Sequence, residues 1–230
     1  MRTLLITGTN RGIGLEMTKQ YAAEGWRVLA CCRLPQAANA LQQLKETYAN
    51  IDIFQLDVKE PSAIQSLSKQ LHTISIDMLI NNAGVWGPEQ QEFGCTDPNA
   101  WIDVFKVNTI APLLLAEAFL PHIEQSQLKM IVNIDSTMGS IALNDSGSAY
   151  IYRSTKAALN AVTKSMAIDL NSRGITVVAL HPGWVKTDMG GSHAKITPEE
   201  SVNGIRNVLS QLSFKDSGTF WGYDHQPLPW

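Results

Sequence analysis

Thr3-Leu-Leu-Ile-Thr-Gly-Thr-Asn-Arg-Gly-Ile-Gly14 is the stretch that decides the fold. A short apolar run stops at Thr7-Gly8, as a buried strand does at a turn. After Gly14, the spacing of Leu15, Met17, Thr18, Tyr21 and Ala22 predicts a helix, and Gly25 supplies its stop. Glycines between a strand and a helix allow a tight turn and bring backbone N–H groups close to a pyrophosphate at a helix N-terminus. Gly8, Gly12 and Gly14 are spaced G-x-x-x-G-x-G, so the signal rests on the strand–turn–helix context rather than on the glycines alone.

The same alternation continues along the chain. Strands are predicted at Arg27–Cys32, Ile51–Leu56, Met78–Ile80, Met130–Ile134 and Thr176–Leu180, with a last short one at Gly218–Trp221. Helices are predicted at Ala37–Tyr48, from Pro61, over Pro98–Gln125, over Tyr150–Asn171, and from the capping-box run Thr197-Pro-Glu-Glu200. Pro112 is expected to kink or restart the long helix. Short apolar strands alternating with helices predict a Rossmann-type, doubly wound parallel sheet of about seven strands with helices on both faces. A length of 230 residues, with no repeat or linker, suits one domain spanning 1–230.

Composition excludes some classes. A net charge of −3 gives no electrostatic reason to expect nucleic acid or an anionic membrane as partner. The most apolar stretch, Ile110–Leu120, contains Pro112 and Glu117 and is too short to span a bilayer. Three cysteines, two of them adjacent, make no disulfide framework and suit a reducing, cytoplasmic compartment.

In a parallel sheet, ligands bind at the carboxyl ends of the strands, so the groups at each strand end bear on function. The first carries the glycine turn. The second ends in Cys32-Arg33, where the acidic residue that would hold a ribose 2′-hydroxyl is absent. Arg33 and Arg11 are either placed to flank a 2′-phosphate or are solvated surface arginines. Asp57 ends the third strand and would accept from an adenine amino group or cap the next helix. Asn81-Asn82-Ala83-Gly84 ends the fourth, as a cofactor contact or a turn. Ser136, after the fifth, offers a hydroxyl to a substrate carbonyl, although serines in such loops are commonly turn residues. His181 ends the sixth and is read as structural, with no metal ligands at suitable spacing. Within the helix from Tyr150, Tyr152 and Lys156 lie four apart on one face. An ammonium beside a phenol favours the phenolate and would lower the Tyr152 pKa, giving a general acid usable near neutral pH.

Taken together, and in this order, these motifs resemble the classical short-chain dehydrogenase/reductase family over almost the whole chain. The wording Tyr152-Arg-Ser-Thr-Lys-Ala-Ala-Leu-Asn160, His181-Pro-Gly-Trp-Val-Lys-Thr-Asp-Met-Gly190 and Gln226-Pro-Leu-Pro-Trp230 is most similar to its carbonyl reductases of the Sniffer-like and C-factor-like type. The resemblance implies an NADP(H)-dependent reductase of ketones, aldehydes or diketones. It implies Tyr152 as proton donor, Lys156 as the group that lowers its pKa and meets the nicotinamide ribose, and Ser136 orienting the carbonyl. It also implies Asn108 holding a water that links Lys156 to bulk. Gly8, Asn10, Arg11, Gly12 and Ile13 would form the phosphate turn, with Arg33 and Asp57 on the adenosine side. Asn82, Ala83 and Gly84 would lie by the middle of the cofactor, and Pro182, Gly183, Val185 and Thr187 along its nicotinamide end.

Two departures from the family pattern are visible. The loop between Ser136 and Tyr152 is long, leaving Ser140 as a fallback for the serine. The segment from Asp188 to about Thr197 is short, implying an open substrate pocket. Trp86, Phe93, Ile141, Trp184 and Met189 are either lining residues of that pocket or ordinary packing. The resemblance further implies a homodimer or homotetramer assembled through the helices at Pro98–Gln125 and Tyr150–Asn171. Two alternatives stand beside reduction: a C-factor-like regulatory protein in which turnover is incidental, and physiological alcohol oxidation with NAD.

Overall fold

A computed structural model describes residues 1–230. Its strands are β1 (Thr3–Thr7), β2 (Arg27–Cys32), β3 (Ile51–Gln55), β4 (Met78–Asn81), β5 (Met130–Ile134), β6 (Thr176–His181) and β7 (Phe220–Gly222). All pair in parallel in one seven-stranded sheet of order β3-β2-β1-β4-β5-β6-β7. The helices are α1 (Gly12–Ala23), α2 (Asn39–Thr47), α3 (Pro61–Gln70), α4 (Pro98–Phe105), α5 (Ala111–Glu124), α6 (Tyr150–Asp169) and α7 (Pro198–Gln211).

Side chains alternate across a strand, and β1 divides the core accordingly. Leu4 and Ile6 join Met17, Val28, Ile205 and Val208 on the face covered by α1 and α7. Leu5 joins Leu29, Ile64, Leu115 and Phe119 on the face covered by α3 and α5. With both faces covered, the strands have no polar side, which is why β1 reads as a continuous apolar run.

The chain winds outward from β1 to β2 and β3, then crosses back to β4 on the other side of β1. That reversal leaves a crevice at the carboxyl ends of β1 and β4. Thr7 and Asn82 stitch it. Thr7 Oγ1 accepts from Asn82 N at 3.1 Å and Ala83 N at 3.0 Å, and Asn82 Nδ2 donates to Thr7 O at 2.8 Å.

The long helix restarts at Pro112, as expected, through a π-helical turn just before it. Pro112 sits in the first turn of α5, but the chain before it is already helical, so its missing N–H removes a bond that a continuous α-helix would make. The irregularity lies just upstream, as a π-helical turn at Lys106–Ile110 that takes up one extra residue. From Pro98 to Glu124 this helix is long and apolar enough to cross a membrane by composition. Ala111, Leu115, Phe119 and Ile123 are nonetheless buried in the core, as in an internal helix of a globular domain. The capping box at the start of α7 is present, with Thr197 Oγ1 accepting Glu200 N and the Glu200 carboxylate accepting Thr197 N.

Candidate active site

A cleft of about 430 Å³ follows the carboxyl edge of the sheet. One end is lined by Arg33, Asp57 and Lys59, its middle by the glycine turn and Asn82-Ala83-Gly84, and its inner end by Asp135, Tyr152 and Lys156. A concavity of about 490 Å³ at the opposite edge, by Thr3, Arg27 and Asp77, lies far from all of these motifs.

The glycine turn is built for close backbone approach. A Cβ on Gly14 would stand 2.2 Å from Gly8 O, and Gly12 takes φ +56° with Thr187 Cγ2 only 3.1 Å from where its Cβ would be. The N-terminus of α1 therefore opens onto the cleft, with the Arg11 and Gly12 backbone at its mouth. An elongated cleft with a helix N-terminus and a side-chain-free turn at its middle suits a dinucleotide pyrophosphate. Asn10 and Ile13 also line it. Asp57 accepts the backbone N–H of Lys59 at 3.0 Å, so it caps the following turn while facing the cleft. Arg11 reaches across to Asp188, at 2.5 Å, and the pair bridges the glycine turn and the segment after β6.

That segment is tightly folded. Lys186 N donates to Ile196 O at 2.8 Å, Trp184 Nε1 donates to Gly190 O at 2.8 Å, and Val185 bridges to Ile196. Pro182, Thr187 and Met189 border the cleft, whereas Val185 is buried behind it. Gly183 takes φ +84° and faces Ile196 and Tyr223 instead of the cleft.

Tyr152 and Lys156 project together from the buried face of α6, with Lys156 Nζ 5.9 Å from the Tyr152 ring centroid. Lys156 Nζ donates to Ile134 O at 2.8 Å. Ser136 begins a short turn in which its Oγ accepts Met138 N at 3.1 Å, and its hydroxyl also meets the Tyr152 phenol. The turn fits α6 closely, since a Cβ on Gly139 would stand 2.7 Å from the backbone carbon of Lys156. Ser140 is occupied elsewhere: its Oγ donates to Trp230 O at 2.9 Å and accepts Leu143 N. The fallback serine is thus a structural tie, and Ser136 alone stands by the tyrosine.

The electrostatics correct one expectation. Burial pushes the Tyr152 phenol well above its ordinary value, Asp135 pushes it the same way, and the Ser136 hydrogen bond opposes them. Burial also lowers Lys156, against the pull of Asp135. The lysine does not bring the phenol down, because both groups lie in a poorly solvated interior where any phenolate is costly. Asp135 itself is pushed up to about 7, mainly by burial, with Lys156 opposing. His181 is lowered to about 4 by burial, and its Nδ1 accepts Thr137 N at 3.4 Å, in keeping with a structural neutral imidazole.

Asn108 sits in the π turn, and both of its side-chain N–H groups are used. Its Oδ1 accepts Val85 N at 2.9 Å, and its Nδ2 donates to Val85 O at 2.9 Å and Thr155 Oγ1 at 3.1 Å. It ties the segment after β4 to α6, so both N–H groups of its amide serve as a brace.

The five candidate pocket residues separate. Trp86 lies against Tyr152, ring centroids 4.6 Å apart, and Met189 lines the cleft. Trp184 is half exposed and spends its N–H on Gly190. Phe93 and Ile141, on irregular loops, are 89% and 79% exposed and wall nothing in this conformation. Three residues escaped sequence reasoning: Lys59 at the adenosine end, Asp135 beneath the tyrosine, and Gln91. Gln91 is buried, takes the Tyr152 N–H on its Oε1 at 2.8 Å and donates to Trp86 O and Pro88 O. Asp135 offered a signal, being a carboxyl at a strand end, but a lone glutamine in a loop offers none.

Comparison with known proteins agrees with this geometry. A family model described as short chain dehydrogenase matches residues 2–196. The "C-signal" protein of Myxococcus xanthus is 40% identical over 167 residues, covering 73% of this chain and all of that protein. The carbonyl reductase Sniffer of D. melanogaster superposes with a TM-score of 0.94 at 36% identity, covering all of both chains. An NADPH-bound carbonyl reductase from chicken fatty liver superposes at 0.93 with 39% identity, covering 100% of this chain and 99% of that one.

Proposed function

The chain belongs to the short-chain dehydrogenase family, and on that premise we propose that it is an NADP(H)-dependent reductase of a ketone, aldehyde or diketone, with Tyr152 as the proton donor. The observation that carries this reading is the pairing of Tyr152 and Lys156 at the inner end of the cleft, with Ser136 buried beside the tyrosine. When bound, the dinucleotide supplies the hydride.

The chain's own residues then have separable tasks. Ser136 holds the carbonyl oxygen, and Tyr152 donates the proton to that oxygen as negative charge develops. Its raised pKa keeps the phenol protonated, which suits a donor. Lys156, fixed on Ile134 O, stabilises the phenolate left behind and stands where a nicotinamide ribose would lie. Asn108 braces this arrangement through Thr155. Arg33 and Lys59 at the adenosine end, with Arg11 in the glycine turn next to it, favour a 2′-phosphate, and the lack of an acidic residue after β2 disfavours a bare ribose. The short segment after Thr187 leaves the substrate side open to varied carbonyls. By family habit the protein would act as a homodimer or homotetramer in the cytoplasm, and its exposed Ile102, Ile110 and Ile168 suit self-association.

A regulatory role with incidental turnover is the second reading, favoured by the similarity to "C-signal". The test is NADPH and NADH consumption with a panel of aldehydes, ketones and diketones, for wild type and Tyr152→Phe in parallel. NADPH-driven turnover that falls by about 10²–10⁴ in the Phe variant, with NADPH binding retained, supports reduction. A preference for NADH overturns the 2′-phosphate argument. Tight NADPH binding with no turnover across the panel favours the regulatory reading, and faster alcohol oxidation with NAD favours the opposite direction.

A further inference from the structure

Asp135 is unaccounted for by the reaction so far described. It lies between Ile134, whose carbonyl holds Lys156, and Ser136. It is 2% exposed, yet it borders the inner end of the cleft with Tyr152 and Lys156. Its Oδ1 accepts Ser136 N at 2.7 Å, while its Oδ2 is buried with no partner. A buried carboxyl with half its capacity unused is costly and is retained only where its charge is compensated or employed.

We propose that Asp135 is a positioning residue, the buried counter-charge to Lys156 that keeps the Tyr152 phenol protonated and so biases the site towards proton donation. The inference rests on the reductase reading. Without a counter-charge, the lysine ammonium alone would face the phenol and favour the phenolate, the form that serves alcohol oxidation. With Asp135 ionised, the two charges together are neutral. Asp135 acts on the tyrosine in the sense opposite to that of a nearby ammonium, and the phenol keeps its proton to higher pH. The coupling acts through space in a poorly solvated interior, since Lys156 Nζ hydrogen-bonds Ile134 O. Other titratable groups facing this centre are Tyr152 and Lys156 on α6 and His181 on β6, with Asp224 behind the histidine. His181 is neutral above about 4 and so adds no charge near neutral pH.

The experiment compares wild type, Asp135→Asn and Asp135→Ser. Asparagine keeps the acceptor for Ser136 N–H and removes only the charge. The alkaline limb of NADPH-driven reduction is expected to move down by about one pH unit or more in both variants, with KM for the carbonyl held within about twofold. Alcohol oxidation should gain its basic form at correspondingly lower pH. Superposable pH profiles, or an equal loss of rate at every pH, would reduce Asp135 to a packing residue and overturn the proposal. A second arm needs no substrate: carbon NMR of ¹³C-labelled aspartate carboxyls, with Asp135→Asn assigning the resonance. Asp135 should titrate near neutral pH and move upward in Lys156→Met. A carboxyl that titrates in the ordinary aspartate range, or that ignores loss of the lysine, overturns the coupling. If wild type reduced no carbonyl, the reductase reading would fall, and this arm would still decide whether the charges are coupled.

Discussion

The side-chain carbonyl of Gln91 accepts the backbone N–H of Tyr152 at 2.8 Å, across 61 positions of sequence. The same side chain donates to Trp86 O and Pro88 O, and the Gln91 backbone carbonyl accepts Tyr150 N at 3.1 Å. The first turn of α6 has no capping side chain of its own, and it is entered through Gly147, Ser148 and Ala149, all with positive φ. Helix starts leave N–H groups without intrahelical partners, and here a distant glutamine satisfies two of them, one with its side chain and one with its backbone carbonyl.

Gln91→Leu should therefore disturb the site without touching substrate. A buried N–H and two carbonyls lose their partner, at a cost of about 2 kcal/mol. For a chain of this length that lowers Tm by about 4–8 °C, read by calorimetry. The rate of reduction should fall with Tyr152 less well placed, while NADPH affinity, measured by fluorescence, stays within about twofold because Gln91 does not border the cleft.

Trp86 covers the tyrosine ring at 4.6 Å and an interplanar angle of 33°. Such an aromatic contact contributes about 0.5–1.5 kcal/mol beyond area burial. Trp86→Ala should raise KM for aromatic carbonyls about five- to tenfold and change KM for small aliphatic ones less. Equal effects on both substrate classes would show that the indole serves only to pack Tyr152.

Arg11 must leave Asp188 to meet a 2′-phosphate. Both side chains are about 70% exposed (67% and 72%), so the ion pair contributes less than about 1 kcal/mol. Asp188→Asn should tighten NADPH binding by up to about fivefold and leave NADH unchanged, in low-salt titrations. Arg33→Ala should weaken NADPH alone, by about tenfold. Equal changes for both dinucleotides would remove these arginines from 2′-phosphate recognition.

Two buried groups set opposite pH dependences of stability. His181 is lowered from 6.5 to about 4 in the folded chain, so its contribution is present above the unfolded value and is lost as pH falls from 6.5 towards 4. Asp135 is raised from 3.8 to about 7, so its contribution is present at low pH and is lost as pH rises from 3.8 towards 7. Asp135→Asn removes the second trend and exposes the first. Denaturant unfolding at pH 5 and pH 8 should show the variant gaining on wild type at the higher pH, by up to a few kcal/mol on the scale of about 1.4 per pK unit. A difference independent of pH would contradict the raised carboxyl.

The alternation of strands and helices was legible because each element carries its own local pattern. The strand, glycine turn and helix of residues 3–23 follow from apolar runs, from backbone that a side chain would obstruct, and from helical spacing. The pairing of Tyr152 with Lys156 needed only the period of a helix. Where local rules met a tertiary demand, that demand set the form. The restart expected at Pro112 takes the form of a π turn around Asn108, whose side chain braces Val85 and Thr155, just before it.

By itself the sequence determined the order of elements, the glycine turn at the sheet reversal and the types of group that meet there, since these depend on neighbours within a turn or two. Tertiary structure alone decided which serine faces the tyrosine, what caps α6, that Arg11 is held by Asp188, and that a buried aspartate shares the inner end of the cleft with the tyrosine and lysine. Those facts turn on partners tens of residues away and on how far water is excluded from them. A sequence names the charges, but only the folded interior sets the dielectric in which they act.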